Sequence, residues 1–328
     1  MVGSEQGAGT VKNNGPVEVE KSVIAKDIVK SYKSFFGSRN VVLQDISLDI
    51  FRDEIFGILG PNGSGKTTLI SIFSTLIYPD SGSLRILGVN ARKNPGAIRK
   101  LVNISTAKPN FPWSLTAEDN LKYSAMLYGI HGPELKRIVD NSIEAFELGK
   151  YRDVQFDNLS TGLKQRLSLA KAMLNDPKII FLDEPTTGLD PEVASRTRSL
   201  IKEIQQRGVS IIMSTHYMPE AEQLCDRIAF LRKGQITALG TPQELKNLLA
   251  LGEKVTVIYQ GPVDLRALEK VPGVMKVNSS PRRVELVLDR VGQAGSLDKV
   301  IKIFGQAEIL DLRVEEPDME DVFLELAR

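Results

Sequence analysis

The stretch GPNGSGKTT, residues 60–68, matches the full phosphate-binding pattern G-x-x-x-x-G-K-[ST]. It follows EIFGILG, an apolar run that predicts a strand, and it begins KTTLISIFSTLI, whose spacing predicts a helix. The glycines let the backbone N–H groups point inward, and the helix N-terminus adds positive potential. Lys66 can reach β- and γ-phosphates, and Thr67 can ligate Mg²⁺. The candidate phosphate ligands are Gly60, Pro61, Asn62, Gly63, Ser64, Gly65, Lys66, Thr67 and Thr68.

Two consecutive carboxylates complete the predicted phosphate site. Asp183 and Glu184 follow the apolar run IIFL, and the carboxyl ends of parallel strands are where α/β sheets bind ligands. Asp183 is expected to hold the Mg²⁺ shell, and Glu184 is expected to accept a proton from an attacking water. Two carboxylates after a strand are a weak signal alone, because many are solvated strand ends. Next to a complete phosphate loop they indicate nucleotide hydrolysis.

The order of apolar runs and helical segments along the chain predicts an α/β domain followed by a small α+β domain. Apolar runs such as KIIFL and VSII alternate with helical segments, which favours a parallel sheet covered on both faces. We expect this domain to span residues 21–250, with a helical subdomain at about 105–175. Residues 253–328 read as β-α-β-β-α-β plus a final helix, the order of a ferredoxin-like fold. Residues 1–20 predict a disordered tail.

Composition narrows the classes of function. The 42 Lys and Arg residues nearly balance the 41 Asp and Glu residues, so no global basic field argues for nucleic acid. The longest apolar runs are too short for a membrane span. Cys225 is the single cysteine, which excludes an internal disulfide and fits a reducing compartment. We interpret it as a buried small residue on a helix.

A third motif is LSTGLKQR, residues 159–166. Ser160 and Gly162 lie at the predicted start of a helix, which suits either a second anion site or an ordinary helix cap. Together, GPNGSGKTT, LSTGLKQRL, FLDEPTTGLDP and STH resemble the nucleotide-binding subunit of an ABC transporter over residues 23–249. Thr161 and Leu163 replace the more usual Gly and Gln, as in exporters of the drug-resistance, sodium and polysaccharide kind. The C-terminal part also resembles a module of that branch.

The resemblance implies a P-loop ATPase fold, ATP and Mg²⁺ as cofactors, and two copies closing on two ATP molecules, as a homodimer or with a paired ATPase subunit. It implies that residues 160–162 (Ser160, Thr161 and Gly162) face the γ-phosphate held by the other copy, with Asp190 at the dimer interface. His216 is implied as the switch histidine, acting with Lys66 and Glu184. Tyr32 resembles the aromatic that stacks on adenine, although it also reads as a strand-end aromatic that covers the core.

The stretch NISTAKPNFPWSLTAEDN, residues 103–120, resembles the family's glutamine loop. The usual Gln position falls on Ala107, whose methyl group can neither ligate a metal nor orient water. A shifted alignment puts Thr106 or Asn110 in that role. Trp113 and Phe111 lie where the family's ATPase receives the membrane subunit, so we expect them at that interface. The alternative is that Trp113 packs back onto its own helical subdomain.

The function that the resemblance implies is ATP hydrolysis that drives export of a drug, lipid, glycan or ion through a separate transmembrane permease. The chain would then lie at the cytoplasmic face of the cell membrane. Two alternatives stay open at this stage. One is a soluble ABC-type ATPase acting on ribosomes or DNA, against which the single cassette and the lack of a heptad run argue. The other is an ATP-binding regulatory module with slow turnover, against which the intact catalytic residues argue.

Overall fold

The computed structural model describes residues 20–33, 39–106, 111–248, 252–289 and 296–327. The prediction for the N-terminal tail falls outside these residues, apart from Glu20. The first elements are β1 (Lys21–Lys33), β2 (Arg39–Phe51), β3 (Ile55–Leu59), α1 (Lys66–Phe73), β4 (Ser81–Ile86), β5 (Val89–Asn90), α2 (Pro95–Arg99), β6 (Val102–Thr106), α3 (Ala117–Leu127), α4 (Gly132–Ala145) and α5 (Thr161–Met173).

They are followed by β7 (Ile179–Asp183), α6 (Pro191–Gln206), β8 (Ser210–Thr215), α7 (Met218–Leu224), β9 (Arg227–Arg232), β10 (Gln235–Gly240), α8 (Pro242–Leu248), β11 (Glu253–Gln260), α9 (Leu265–Glu269), β12 (Val274–Ser280), β13 (Arg283–Leu288), α10 (Ser296–Ile303), β14 (Glu308–Glu315) and α11 (Met319–Ala327). None of the helices in these described ranges is long and apolar enough to cross a membrane.

The central sheet has the strand order β10-β9-β3-β8-β7-β6, and only the β9–β10 pair is antiparallel. Its middle strands are buried along nearly their whole length because both faces are covered. In β7, Ile180 and Leu182 pack into one core cluster, whereas Ile179 and Phe181 pack into the other. Side chains alternate between the faces of a strand, so a continuous apolar run is what a two-sided core requires.

Two further units cover this sheet. An antiparallel sheet, ordered β2-β1-β4-β5, shares its core with one face. Helices α3, α4 and α5 contribute to the cluster on the other face. The predicted α/β architecture is therefore confirmed. It brings the carboxyl ends of β3, β7 and β8 to one edge of the parallel sheet.

The last four strands form a separate antiparallel sheet ordered β12-β13-β11-β14, with its own core. This is the strand order of a ferredoxin-like fold, as the sequence predicts. The final helix, α11, leaves that unit and packs against α7 and α8 of the larger one. Met319 and Val322 are fully buried there, and the Phe323 ring lies 6.3 Å from that of Phe230.

Candidate active site

The phosphate loop connects β3 to α1 at the carboxyl edge of the central sheet. β3 is buried along its whole length, so packing in the core fixes the position of its carboxyl end, where the loop starts. Gly65 is the N-cap residue of α1 and has a φ of 109°, a conformation that favours glycine. A Cβ at this position would also lie 2.8 Å from Leu43. Gly65 thus lets the loop pass close to β2 and enter the helix, as the motif predicts.

Lys66 lies inside the loop. Its side chain is 5% exposed, and its Nζ donates to the carbonyl oxygens of Gly60 (2.9 Å) and Pro61 (3.2 Å). Nζ also lies 3.6 Å from Oε1 of Glu184. Burial lowers the pKa of the Lys66 ammonium, and the carboxylates of Glu184 and Asp183 oppose that shift. The loop therefore places a cation next to the carboxylates that end β7.

A hydroxyl–carboxylate pair forms the candidate metal position. The Oγ1 of Thr67 lies 3.3 Å from Oδ1 of Asp183, to which it donates, and the hydroxyl of Ser214 donates to the same oxygen. Thr67 lies in the first turn of α1, whereas Asp183 is the last residue of β7. Hydroxyl and carboxylate oxygens are the ligands that Mg²⁺ prefers in proteins. The residues at this position thus fit the ion that the sequence predicts.

Glu184 lies at the centre of the site. Its Oε1 is 3.2 Å from Nδ1 of His216, and its Oε2 accepts a hydrogen bond of 3.2 Å from the hydroxyl of Thr187. The backbone of Glu184 has a φ of 52°, and its N–H donates to the carbonyl oxygen and hydroxyl of Ser214. The carboxylate is 22% exposed, so it stays accessible to water between a lysine and a histidine.

The LSTGL segment and the PTTGLDP segment begin neighbouring helices. Ser160 is the N-cap residue of α5 and accepts a hydrogen bond from the N–H of Leu163. Asp190 is the N-cap residue of α6 and accepts one from the N–H of Val193. Gly162 is buried against the side chain of Val193, so the two helix starts are in direct contact. Thr161 is exposed at the start of α5.

The aromatic residues divide into exposed and buried ones. Tyr32 is 45% exposed, with the Lys30 ammonium 5.6 Å from the centre of its ring, which argues against the alternative that it covers the core. Trp113 is 71% exposed, so it does not pack back onto the helical subdomain. Its indole is accessible to a partner, and its role at the interface with the membrane subunit stays a prediction.

Phe111 corrects the expectation that both loop aromatics lie at the interface with the membrane partner. It is 7% exposed, its ring lies 5.1 Å from that of Phe156, and the Lys171 ammonium is 4.9 Å from its centre. Burial in the core of the helical subdomain leaves it no surface for a partner, so it supports the loop that carries Trp113. Ala107 and Asn110 lie outside the described residues. Thr106 ends β6 in register with Asp183.

Comparisons with known proteins agree with this geometry. Residues 43–187 match the sequence profile of the family described as ABC transporter. The chain is 33% identical to the Nod factor export ATP-binding protein I of Bradyrhizobium diazoefficiens, over 93% of this chain and 97% of that protein. It is 29% identical to the linearmycin resistance ATP-binding protein LnrL of Bacillus subtilis, over 92% and 97%. A dimeric ATP-binding cassette, MJ0796, solved in a post-hydrolysis state with ADP and Pi, superposes with a TM-score of 0.61 at 26% identity, covering 67% of this chain and 98% of the cassette.

The fold and the site thus define a P-loop ATPase of the ATP-binding cassette class. The chain belongs to the ABC transporter family, as an ATP-binding subunit that resembles those of the exporter branch. It is an ATPase, which confirms the reading of the sequence motifs.

Sequence reasoning missed several residues that the fold brings to the site. Ser214 contacts Asp183 and Glu184, Thr187 contacts Glu184, and Glu220 is buried nearby. The signal for Glu220 was an acidic residue on the face of α7 that also carries Ala221 and Leu224. A carboxylate on an apolar helix face indicates a specific partner, because burying it alone is costly.

Proposed function

We propose that this chain works as one half of an ATPase dimer that drives export through a separate membrane-spanning partner, at the cytoplasmic face of the cell membrane. The observation that carries the proposal is the Glu184 carboxylate, which contacts both His216 and Lys66. Relatives whose names refer to export or resistance align with nearly their whole length, which supports the direction of transport.

The charged groups around Glu184 can carry out the steps of ATP hydrolysis. Glu184 accepts a proton from the water that attacks the γ-phosphorus, and ADP leaves as the phosphorus–oxygen bond to the β-phosphate breaks. Lys66 and His216 stabilise the negative charge that spreads over the transferred group. Thr67 and Asp183 would hold Mg²⁺, which neutralises phosphate charge when bound. The backbone N–H groups of the phosphate loop hold the β- and γ-phosphates in place.

Closure of two copies completes each site. Residues 160–162 of one copy face the γ-phosphate held by the other, and Asp190 lies at the interface between them. The contact of Gly162 with Val193 supports this arrangement, because it holds both segments as one surface. Tyr32 stacks on adenine, for which its exposed ring is available. ATP favours the closed dimer and hydrolysis releases it, so the population shift is the mechanical step.

The test of this function is to isolate the full-length chain together with its membrane partner. We expect co-purification with a protein that has about six apolar spans of ~20 residues. Compounds that the partner transports are expected to stimulate ATP hydrolysis by the complex. Co-purification with ribosomes in place of a membrane protein would contradict the proposal.

Replacing Trp113 by alanine is expected to weaken binding to the membrane partner. Truncating a large aromatic at the centre of an interface costs about 2 kcal/mol or more, which is roughly a 30-fold loss of affinity. The ATPase activity of the isolated chain should stay unchanged, because the indole is 71% exposed. Co-purification and cargo-stimulated ATPase activity measure the effect.

The matched control for Trp113→Ala is Leu310→Ala, which removes an exposed apolar side chain from β14 in the ferredoxin-like unit. This variant should keep the wild-type affinity for the membrane partner. Equal binding by Trp113→Ala and wild type would show that the loop does not contact the partner.

Restoring a glutamine at position 107 is expected to raise the ATPase rate. We infer that Ala107 weakens the sensing of Mg²⁺, and one polar contact that acts only in the transition state is worth about 2–4 kcal/mol. Ala107→Gln should therefore increase kcat by at least about tenfold and change its Mg²⁺ dependence. Ala107→Leu adds similar bulk without an amide and serves as the control. An unchanged rate and Mg²⁺ dependence in Ala107→Gln would discard the idea.

A further inference from the structure

Glu220 is a buried carboxylate that the mechanism above does not use. It lies on α7 and is 1% exposed, and its neighbours on the same helix face are Ala221 and Leu224. Moving a carboxylate out of water is expensive unless hydrogen bonds replace the lost solvation. The contacts that satisfy Glu220 therefore indicate what it does.

One threonine hydroxyl hydrogen-bonds the carboxylate, and a second lies close to it. Thr186 Oγ1 donates to Glu220 Oε1 at 2.6 Å, and the hydroxyl of Thr215 is near enough to lower the pKa of Glu220. Burial raises the pKa of Glu220, whereas these hydroxyls and the nearby charges of Arg198 and His216 lower it. Glu220 thus connects two segments that lie far apart in the sequence.

Each of these threonines is next to a contact of the catalytic pair. Thr186 precedes Thr187, whose hydroxyl donates to Glu184 Oε2 at 3.2 Å. Thr215 precedes His216, whose Nδ1 lies 3.2 Å from Glu184 Oε1. Contacts therefore run from Glu220 through Thr186 and Thr187 to Glu184, while Thr215, the neighbour of His216, lies close to Glu220 on the other segment.

A cavity of about 310 Å³ borders the same segments and is lined in part by Thr186, Thr187, Arg198, His216 and Tyr217. Side chains that line this open pocket face solvent on that side, so packing alone restrains them less than in a filled core. Hydrogen bonds then carry more of the restraint. Glu220 supplies such a bond to Thr186 and lies close to Thr215 at the end of β8.

We propose that Glu220 is a positioning residue for ATP hydrolysis, which holds the PTTGL segment and the end of β8 so that Glu184 and His216 keep their mutual geometry. The proposal rests on the roles given above to Glu184 and His216. Misplacing a catalytic group by about 1 Å can cost roughly 10²-fold in rate, so a positioning residue acts mainly on kcat.

The experiment compares Glu220→Met with Glu220→Gln in the full-length chain. Methionine fills a similar volume without a strong acceptor and leaves the Thr186 hydroxyl without its partner, so it should lower the thermal unfolding midpoint while the chain stays folded. We expect Glu220→Met to lower kcat about 10- to 100-fold, with KM for ATP within about twofold of wild type. Glu220→Gln keeps a carbonyl oxygen as acceptor and should retain at least about half of the wild-type kcat.

Two further variants make the comparison specific. Thr186→Val removes the donor without changing the shape of the side chain and should reproduce the loss of kcat. Glu222→Met alters a carboxylate on the same helix that pairs with Lys246 away from the site, and it should behave as wild type. A wild-type kcat in Glu220→Met, or an equal loss in Glu222→Met, would overturn the proposal.

A second measurement does not depend on turnover. The chain contains two histidines, so His131→Gln leaves the imidazole of His216 as the only histidine signal in an NMR spectrum. In this background, Glu220→Met should shift or broaden the His216 ring signal without nucleotide by more than Glu220→Gln does, because both variants remove the carboxylate but only Gln keeps an acceptor oxygen; Glu222→Met should leave the signal unchanged. An unchanged signal in Glu220→Met would contradict the proposed link to His216.

Parallel measurement of Glu184→Gln separates this inference from the proposed function. If Glu184→Gln hydrolyses ATP at the wild-type rate, the role of Glu184 is wrong. If Glu184→Gln stalls while Glu220→Met turns over as wild type does, only the role of Glu220 is wrong.

Discussion

Glu184→Gln is expected to lower kcat for ATP hydrolysis by about 10³-fold while ATP binding is retained. The amide has nearly the same size as the carboxylate and can still accept the hydrogen bond from Thr187, so the local structure should persist. It cannot accept the proton of an attacking water. The phosphate loop is untouched, and one negative charge fewer next to the phosphates does not oppose ATP. Single-turnover hydrolysis and equilibrium ATP binding measure the two effects separately.

The same variant is expected to accumulate as an ATP-bound dimer. If hydrolysis is what releases the closed state, a chain that binds ATP but cannot cleave it stays closed, and size-exclusion chromatography with ATP detects the change. Glu222→Gln is the matched control, because it makes the same substitution on α7 away from Lys66 and His216. Wild-type turnover in Glu184→Gln would refute the assignment of Glu184 as the general base.

Gly162→Ala is expected to destabilise the chain and to weaken its ATP-dependent dimerisation. An added Cβ would overlap the Cγ1 methyl group of Val193, so either the Val193 side chain leaves its present rotamer or α5 and α6 separate. Overpacking of this kind costs about 1–3 kcal/mol. For a domain of this size, each kcal/mol lowers the unfolding midpoint by roughly 2–4 °C. Because α5 begins after Ser160 and α6 begins after Asp190, both proposed dimer contacts move with the helices.

Two controls distinguish the overlap from a general effect of alanine. Gly96→Ala, in α2, adds the same group where no heavy atom lies within 4 Å, and it should not lower the unfolding midpoint. Val193→Ala removes the overlapping methyl groups, so the double variant Gly162→Ala, Val193→Ala should recover most of the lost stability. If Gly162→Ala unfolds and dimerises as wild type does, the close contact is unimportant.

The phosphate loop and the carboxylates after β7 were predictable because their geometry is local. A strand, a tight turn and a helix follow one another within a few residues, and each has a pattern of its own. Lys66 and Asp183 consequently lie where the motifs predict. The two-sided burial of the central strands was predictable for the same reason, since Ile179–Leu182 is apolar at every position.

The order of the strands in the central sheet was not predictable from these patterns. β3 pairs with β8 on one side and β9 on the other, although more than 150 residues of chain separate β3 from each of these partners. β3, β8 and β9 are each buried on both faces, so their sequences do not specify which strands they pair with. Packing of the whole core selects them.

By itself, the sequence determined the family and the nucleotide and located the strand, turn and helix that carry the phosphate-loop motif, because these depend on short contiguous motifs. Only the tertiary structure decided that Phe111 is buried while Trp113, two residues later, is exposed. Tertiary packing also places Thr186 within hydrogen-bond distance of Glu220 and packs Gly162 against the side chain of Val193. These contacts join elements that are distant in the chain, and their formation depends on how the helices pack against the sheet.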